Sequence, residues 1–128
     1  MCDAIDRVAR SLPAFDVTLG SGGGRSRRGD GVAWLDVDRG AAEITRLAAS
    51  LEDAIGWRGG SRPSGQRPHL TVARRASPEL IEALSRTPPQ PPIAWRVAEV
   101  VLFCSHLRRT GAAYERLHES PLTSTIDA

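Results

Sequence analysis

The sequence contains no lysine, so all seventeen of its basic side chains are arginines. This absence excludes a P-loop, which must end in Gly-Lys-Ser/Thr, although residues 20–31 form a glycine-rich stretch. The fifteen acidic residues leave a net charge of only +2. A charge this small does not by itself indicate a nucleic-acid-binding protein.

Cysteine is also scarce: Cys2 and Cys104 are the only two, and their spacing matches no metal or redox motif. Two unpaired thiols are typical of a reducing compartment, so we expect a cytoplasmic protein. No apolar run approaches the ~20 residues of a membrane-spanning helix, and the first residues lack the pattern of a signal peptide. With 41% hydrophobic and 25% charged residues, the 128-residue chain has the composition of one globular domain.

The spacing of apolar residues predicts a mixture of helices and strands. Helical spacing occurs at residues 3–12, at residues 42–55 and after the capping residue Ser77, and strand patterns occur at residues 15–19, 32–37, 93–105 and 112–118. We expect the first two strands to form an antiparallel hairpin, joined by a flexible loop over residues 20–31. Trp34, in the second strand, is expected in the core. The order predicts an α+β fold around a mostly antiparallel sheet.

One stretch combines groups that suit phosphate chemistry: Pro68-His69-Leu70-Thr71-Val72-Ala73-Arg74. A loop precedes it, and Pro68 fits only the start or edge of a strand. Two residues apart on a strand, His69 and Thr71 point to the same face. An imidazole transfers protons near neutral pH, and a hydroxyl can hold a phosphate oxygen. A single histidine on a strand is more often structural, so the tripeptide alone leaves both interpretations open.

Arginines are concentrated in two places. Arg25, Arg27 and Arg28 lie in the glycine-rich stretch, and Arg62, Arg67, Arg74 and Arg75 surround the histidine motif. The planar guanidinium can donate two hydrogen bonds to one phosphate. Such clusters are about as often solvated surface, so both interpretations stay open here as well.

The wider pattern resembles the 2H phosphoesterase superfamily, in its branch of RNA 2′,3′-cyclic phosphodiesterases, also called bacterial 2′-5′ RNA ligases. Residues 68–74 are similar to the second His-x-Thr signature of that family. Residues 15–20 and 32–35 resemble its central hairpin, and residues 100–107, 111–114 and Leu117 resemble its closing strands. The resemblance implies a two-lobed antiparallel sheet with outer helices and a cleft between the lobes. Residues 1–38 would then form a partial first lobe, and residues 39–122 the second lobe and closing strands.

The same resemblance implies roles for individual residues. His69 would be the general base that activates water, and Thr71 would hold the phosphate. Arg74 matches an arginine that often ends the signature and is a candidate phosphate ligand, whereas Arg67 is a candidate by position alone. The expected substrates are RNA ends or cyclic nucleotide phosphates, and neither a metal nor an organic cofactor is implied.

The chain departs from the family pattern in one respect, because the first His-x-Thr motif is absent. His106 and His118 cannot replace it, since neither is followed by threonine two residues later. We therefore expect an N-terminally incomplete fold with impaired turnover. Three explanations stay open: a fragment or misplaced start, a non-catalytic module that binds phosphate or RNA ends, and a homodimer formed through an exposed sheet edge.

Overall fold

The computed structural model describes residues 1–26 and 31–124. Its helices are α1 (Cys2–Ser11), α2 (Ala41–Ile55) and α3 (Pro78–Arg86), and a short 3₁₀ turn spans Pro63–Gly65. Its strands are β1 (Phe15–Arg25), β2 (Val32–Val37), β3 (His69–Arg74), β4 (Ala94–Val97), β5 (Glu99–Arg108) and β6 (Gly111–Pro121). The predicted α+β fold is confirmed. Arg27 and Arg28 lie outside the described residues.

Four strands form one antiparallel sheet in the order β3-β2-β1-β4. The predicted hairpin of β1 and β2 is confirmed, and β3 pairs with the other side of β2. β5 and β6 form a separate two-stranded hairpin. The apolar stretch at residues 93–105 is divided between β4 and β5, which are separated only by Ala98. The division of the chain into lobes stays a prediction.

The helices pack on one face of each sheet. In α1, Ile5, Val8 and Ala9 are buried. Ala9, Ala14 and Leu122 form a buried cluster, against which pack Leu12, Phe15, Leu47, Val97 and Val100. This cluster joins α1 and α2 to β1, β4 and β5. Helix α3 contacts β1 and β2. None of the helices within residues 1–26 and 31–124 is long and apolar enough to span a membrane.

Local sequence signals fix the helix ends. Ser77 caps α3, since its hydroxyl oxygen accepts a hydrogen bond from the backbone N–H of Leu80 at 3.2 Å. Helix α2 ends at Gly56, whose φ of +69° lies in the left-handed region that glycine adopts readily. The start of α3 and the end of α2 thus lie where the sequence predicts them.

The flexible loop predicted over residues 20–31 is wrong in its first part, because β1 continues through the glycines to Arg25. Gly22 pairs with Leu35 and Gly24 with Ala33. A Cβ atom on Gly22 would lie only 1.8 Å from the carbonyl oxygen of Trp34. The glycines are therefore needed for the close approach of β2 rather than for flexibility.

A hydrogen-bonded cluster fastens α1 to β6. The Asp6 carboxylate accepts hydrogen bonds from Nε2 of His118 at 2.7 Å and from the hydroxyl of Ser120. Ser120 is fully buried. These bonds, with that of Ser120 the larger cause, lower the pKa of Asp6 below its ordinary value of 3.8. The ionised carboxylate is thus the form that the folded chain prefers.

Gly22→Ala is expected to destabilise the fold by about 1–3 kcal/mol, because the added methyl group overlaps the β2 backbone. The free energy of unfolding in urea measures this cost. Gly60→Ala is the matched control, since a Cβ there meets nothing within 4 Å. Equal stability of the two variants would contradict the close strand approach.

Asp6→Asn is expected to lower the melting temperature near neutral pH. A depressed carboxylate pKa adds stability above the unfolded-state value of about 3.8, and this stability is lost as the pH falls through the folded-state pKa. The difference in melting temperature between the wild type and the variant should therefore shrink in acid. Asp3→Asn, on the exposed side of the same helix, is the control, and an identical pH profile for both variants would refute the assignment.

Candidate functional site

The histidine motif lies on β3, the strand at one end of the four-stranded sheet. The strand begins at His69, as the sequence predicts. In the register with β2, His69 is opposite Asp36 and Thr71 is opposite Trp34. Directly opposed residues share a face, so all four side chains lie on the face that the helices leave open.

A bulge in β3 brings a fifth side chain to this face. Thr71 pairs with Trp34 but Ala73 pairs with Ala33, so Val72 is the extra residue. On a regular strand Arg74, three residues beyond Thr71, would point to the opposite face. The bulge reverses this and places Arg74 opposite Val32, on the face of His69 and Thr71.

The loop before β3 is held by a buried carboxylate of α2. Glu52, only 4% exposed, accepts hydrogen bonds from the backbone N–H and the hydroxyl of Ser64, both at 2.6 Å. Arg62 donates a hydrogen bond to Asp53 at 2.8 Å. These contacts fix the direction from which the chain enters β3.

The open face forms a cleft of about 750 Å³, within the range of ligand-binding pockets. It is lined by Gly22, Gly23, Gly24, Arg25, Val32, Trp34, Asp36, Gln66, Arg67, His69, Thr71 and Arg74. All four residues named from the sequence, His69, Thr71, Arg67 and Arg74, thus line one cleft. Gly23 lies opposite Trp34, so the floor of the cleft has no side chain at that position.

The His69 ring has a defined tautomer. Nδ1 lies 2.8 Å from the carbonyl oxygen of Arg67. A carbonyl oxygen only accepts, so Nδ1 carries the hydrogen and the lone pair of the neutral ring is on Nε2. The Trp34 ring packs beside it, with 5.8 Å between the ring centroids and an angle of 58° between the planes. The imidazole is exposed and positioned to accept a proton at Nε2.

Several residues of the cleft were missed by the sequence reasoning. Trp34, expected in the core, instead lines the cleft, because its neighbours Ala33 and Leu35 take the buried face. Asp36, two residues later, follows Trp34 to the same side. The alternation of side chains along β2 was the signal that could have placed both on this face, because apolar Ala33 and Leu35 occupy the positions that point the other way. For Gln66, no sequence signal distinguished it from the rest of its loop.

The other histidines lie elsewhere. Nε2 of His106 is 3.1 Å from Glu115 on the β5–β6 hairpin, and His118 is bound to Asp6. His69 is therefore the only imidazole that lines the cleft within the part of the chain that the structure describes. The same part contains no group of three or more histidine, cysteine or acidic side chains able to hold a metal ion.

Comparison with known proteins identifies the class. The model of the 2′-5′ RNA ligase superfamily matches residues 1–108, so the chain belongs to that superfamily. This assignment agrees with the 2H phosphoesterase resemblance of the motif. Among curated proteins, no sequence matches the chain significantly.

Solved structures give the same fold. Escherichia coli LigT in its apo form aligns with a TM-score of 0.68 and 29% identity, over 94% of this chain and 67% of that one. LigT complexed with 3′-AMP aligns with a TM-score of 0.65 and 29% identity, over 94% of this chain and 66% of the LigT chain. A Thermus thermophilus protein aligns with a TM-score of 0.61 and 25% identity, over 96% of this chain and 68% of the Thermus chain. The chain therefore spans about two thirds of the length of these relatives.

Proposed function

We propose that this chain acts on RNA 2′,3′-cyclic phosphate ends and hydrolyses them to 2′-phosphomonoesters, with His69 as the general base. The proposal depends on one observation, the convergence of His69, Thr71 and Arg74 on the open face of one cleft. The structural likeness to LigT, which has been solved with 3′-AMP and with phosphate, supports a nucleotide phosphate as ligand. The two free cysteines are consistent with action in the cytoplasm.

The charge of the cleft suits an anion. Arg25, Arg67 and Arg74 line it, against the single carboxylate of Asp36. An excess of positive charge in a concave site concentrates anionic substrates. Guanidinium groups also stabilise the extra negative charge that develops on phosphorus-bound oxygens during attack.

The proposed reaction gives each of these groups one role. Nε2 of His69 removes a proton from water while the water oxygen bonds to phosphorus and the bond from phosphorus to the 3′-oxygen breaks. Thr71 donates a hydrogen bond to a non-bridging oxygen, and Arg74 holds the anion. The 3′-oxygen takes its proton from solvent and becomes a hydroxyl. A positioned general acid typically contributes about 10²–10⁴-fold in rate, so this chain is expected to turn over slowly without one.

His69→Ala is expected to reduce hydrolysis of adenosine 2′,3′-cyclic phosphate by about 10²–10⁴-fold, the usual contribution of a general base. The initial rate of 2′-phosphomonoester formation measures the loss. His106→Ala removes the same ring from an exposed position outside the cleft and should leave the rate unchanged. Turnover that is indifferent to His69→Ala would refute its role as the base.

A second function is favoured by the single imidazole in the described part of the cleft: a module that binds phosphate or RNA ends without turnover. Paired copies are a separate alternative, because β3 is the last strand of its sheet and its Leu70 and Val72 are 47% and 46% exposed. Light scattering distinguishes such a dimer, or an oligomeric remnant that binds no ligand, from a monomeric binding module.

Under this second function, Arg74→Ala is expected to weaken binding of inorganic phosphate several-fold, because a charge-assisted hydrogen bond is lost. Calorimetric titration measures the affinity, which should also fall as salt is raised. Arg86→Ala removes a guanidinium on α3 that is paired with Glu82 and should have no effect. Equal affinities in the two variants would contradict a phosphate contact at Arg74.

A further inference from the structure

A second pocket adjoins the cleft beside His69. This pocket, called the side pocket below, has a volume of about 320 Å³ and shares Asp36 and Arg67 with the cleft. Asp36 is directly opposite His69 in the register of β2 and β3, so the boundary between the two pockets lies next to the candidate base. A ligand whose phosphate is at His69 therefore has room for a neighbouring group in the side pocket.

A bulge in β1 leaves space for the side pocket. The register of β1 and β2 shifts between Leu19 and Gly22, so β1 has two residues where β2 has one. The two residues of β1 are Gly20 and Ser21, and the single residue of β2 is Asp36. All three line the side pocket, and the glycine contributes no side chain to fill it. The irregular pairing thus leaves space beside the Asp36 carboxylate.

The carboxylate of Asp36 lacks hydrogen-bond donors. Its Oδ1 atom is buried and accepts no hydrogen bond, and Asp36 has no ion-pair partner within residues 1–26 and 31–124. Leaving a buried charged acceptor without a donor is unfavourable, and a ligand that brings a donor reduces this cost. The carboxylate is therefore suited to a ligand group that carries an N–H or an O–H.

The two pockets differ in the sign of their charge. The cleft has the guanidinium groups of Arg25, Arg67 and Arg74 against one carboxylate. The side pocket has the carboxylates of Asp36 and Asp38 against the one guanidinium of Arg67. An excess of negative charge repels a phosphate and attracts hydrogen-bond donors. The phosphate and a donor-bearing group of the same ligand are thus directed to different pockets.

The chemistry of the proposed substrate decides which group supplies the donor. In a 2′,3′-cyclic phosphate end, the 2′- and 3′-oxygens are both bonded to phosphorus, and the 5′-oxygen is bonded to the preceding phosphate. The ribose therefore has no hydroxyl group, and the remaining donors belong to the base. The base is joined to C1′, and the neighbouring C2′ carries an oxygen of the cyclic phosphate. The base thus lies within one sugar ring of the reacting phosphorus.

We propose that the side pocket receives the base of the reacting nucleotide and that Asp36 accepts a hydrogen bond from its exocyclic amino group. The inference rests on the proposed function, which supplies the cyclic phosphate at His69. Adenine and cytosine present an amino group where hypoxanthine and uracil present a carbonyl oxygen. The ring N–H of the latter two is flanked by that oxygen, which repels a carboxylate. Asp36 therefore selects bases that carry an amino group.

Calorimetric titration with nucleoside 2′-monophosphates tests the proposal without requiring turnover. The wild type is expected to bind the adenosine compound about 10-fold more tightly than the inosine compound, because a charged acceptor gains a donor. The cytidine compound should exceed the uridine compound by a similar factor, since this pair also exchanges an amino group for an oxygen. In Asp36→Asn both preferences should fall below about 3-fold, because an amide donates as well as accepts.

Two comparisons separate recognition of the base from a structural role of Asp36. Asp3→Asn removes the same charge from an exposed position of α1 and should keep both preferences. Asp36→Asn should unfold at a temperature no lower than the wild type, because Oδ1 has no partner to lose within the described part of the chain. Equal wild-type affinities within each pair would overturn the proposal, and so would a preference that Asp36→Asn retains. Marked destabilisation by Asp36→Asn would also overturn it, since the carboxylate would then serve the fold.

Turnover separates this inference from the proposed function. Hydrolysis of cytidine and uridine 2′,3′-cyclic phosphates with equal KM values would support the hydrolase and refute the selection of the base. An amino preference in binding, without hydrolysis of either cyclic phosphate, would support recognition of the base and refute the hydrolase.

Discussion

The pairing of β3 with β2 is the interaction on which the candidate site depends. It places His69 and Thr71 beside Asp36 and Trp34, and the bulge at Val72 turns Arg74 to the same face. A shift of one residue in this pairing would point the imidazole toward the helices. The register is kept in part by the backbone of β1, which approaches β2 so closely at Gly22 that no side chain fits between them.

The packing of the helices makes the two faces of the four-stranded sheet chemically different. The helices bury small and branched apolar side chains such as Val17, Leu19 and Leu35. On the opposite side lie Trp34 and the arginines of the cleft. A sheet covered on one face only has a free face for binding, and this chain places Trp34, His69 and the arginines of the cleft there.

Much of this arrangement could be predicted from the sequence, and the exceptions have physical causes. The period-two rule put His69 and Thr71 on one face, because it depends on β3 alone. The bulge at Val72 could not be foreseen, since a bulge is a property of two paired strands. The glycines of β1 were interpreted as a loop because their intrinsic strand preference is low, but the partner strand overrides that preference. The hydrophobicity of Trp34 predicts a core position, but the side on which the helices pack decides where it lies. The roles of His69, Thr71, Arg67 and Arg74 stay predictions, because a lining position does not establish a reaction.

The contact between Glu52 and Ser64 has a consequence for the variation that the chain can accept. It ties the end of the loop to α2 just before β3 begins, and Arg62 adds a second tie at Asp53. Residues 57–61, which lie before both ties, are exposed. Insertions or deletions in that segment should therefore leave the histidine in place, so related sequences can differ in length there while the imidazole keeps its position.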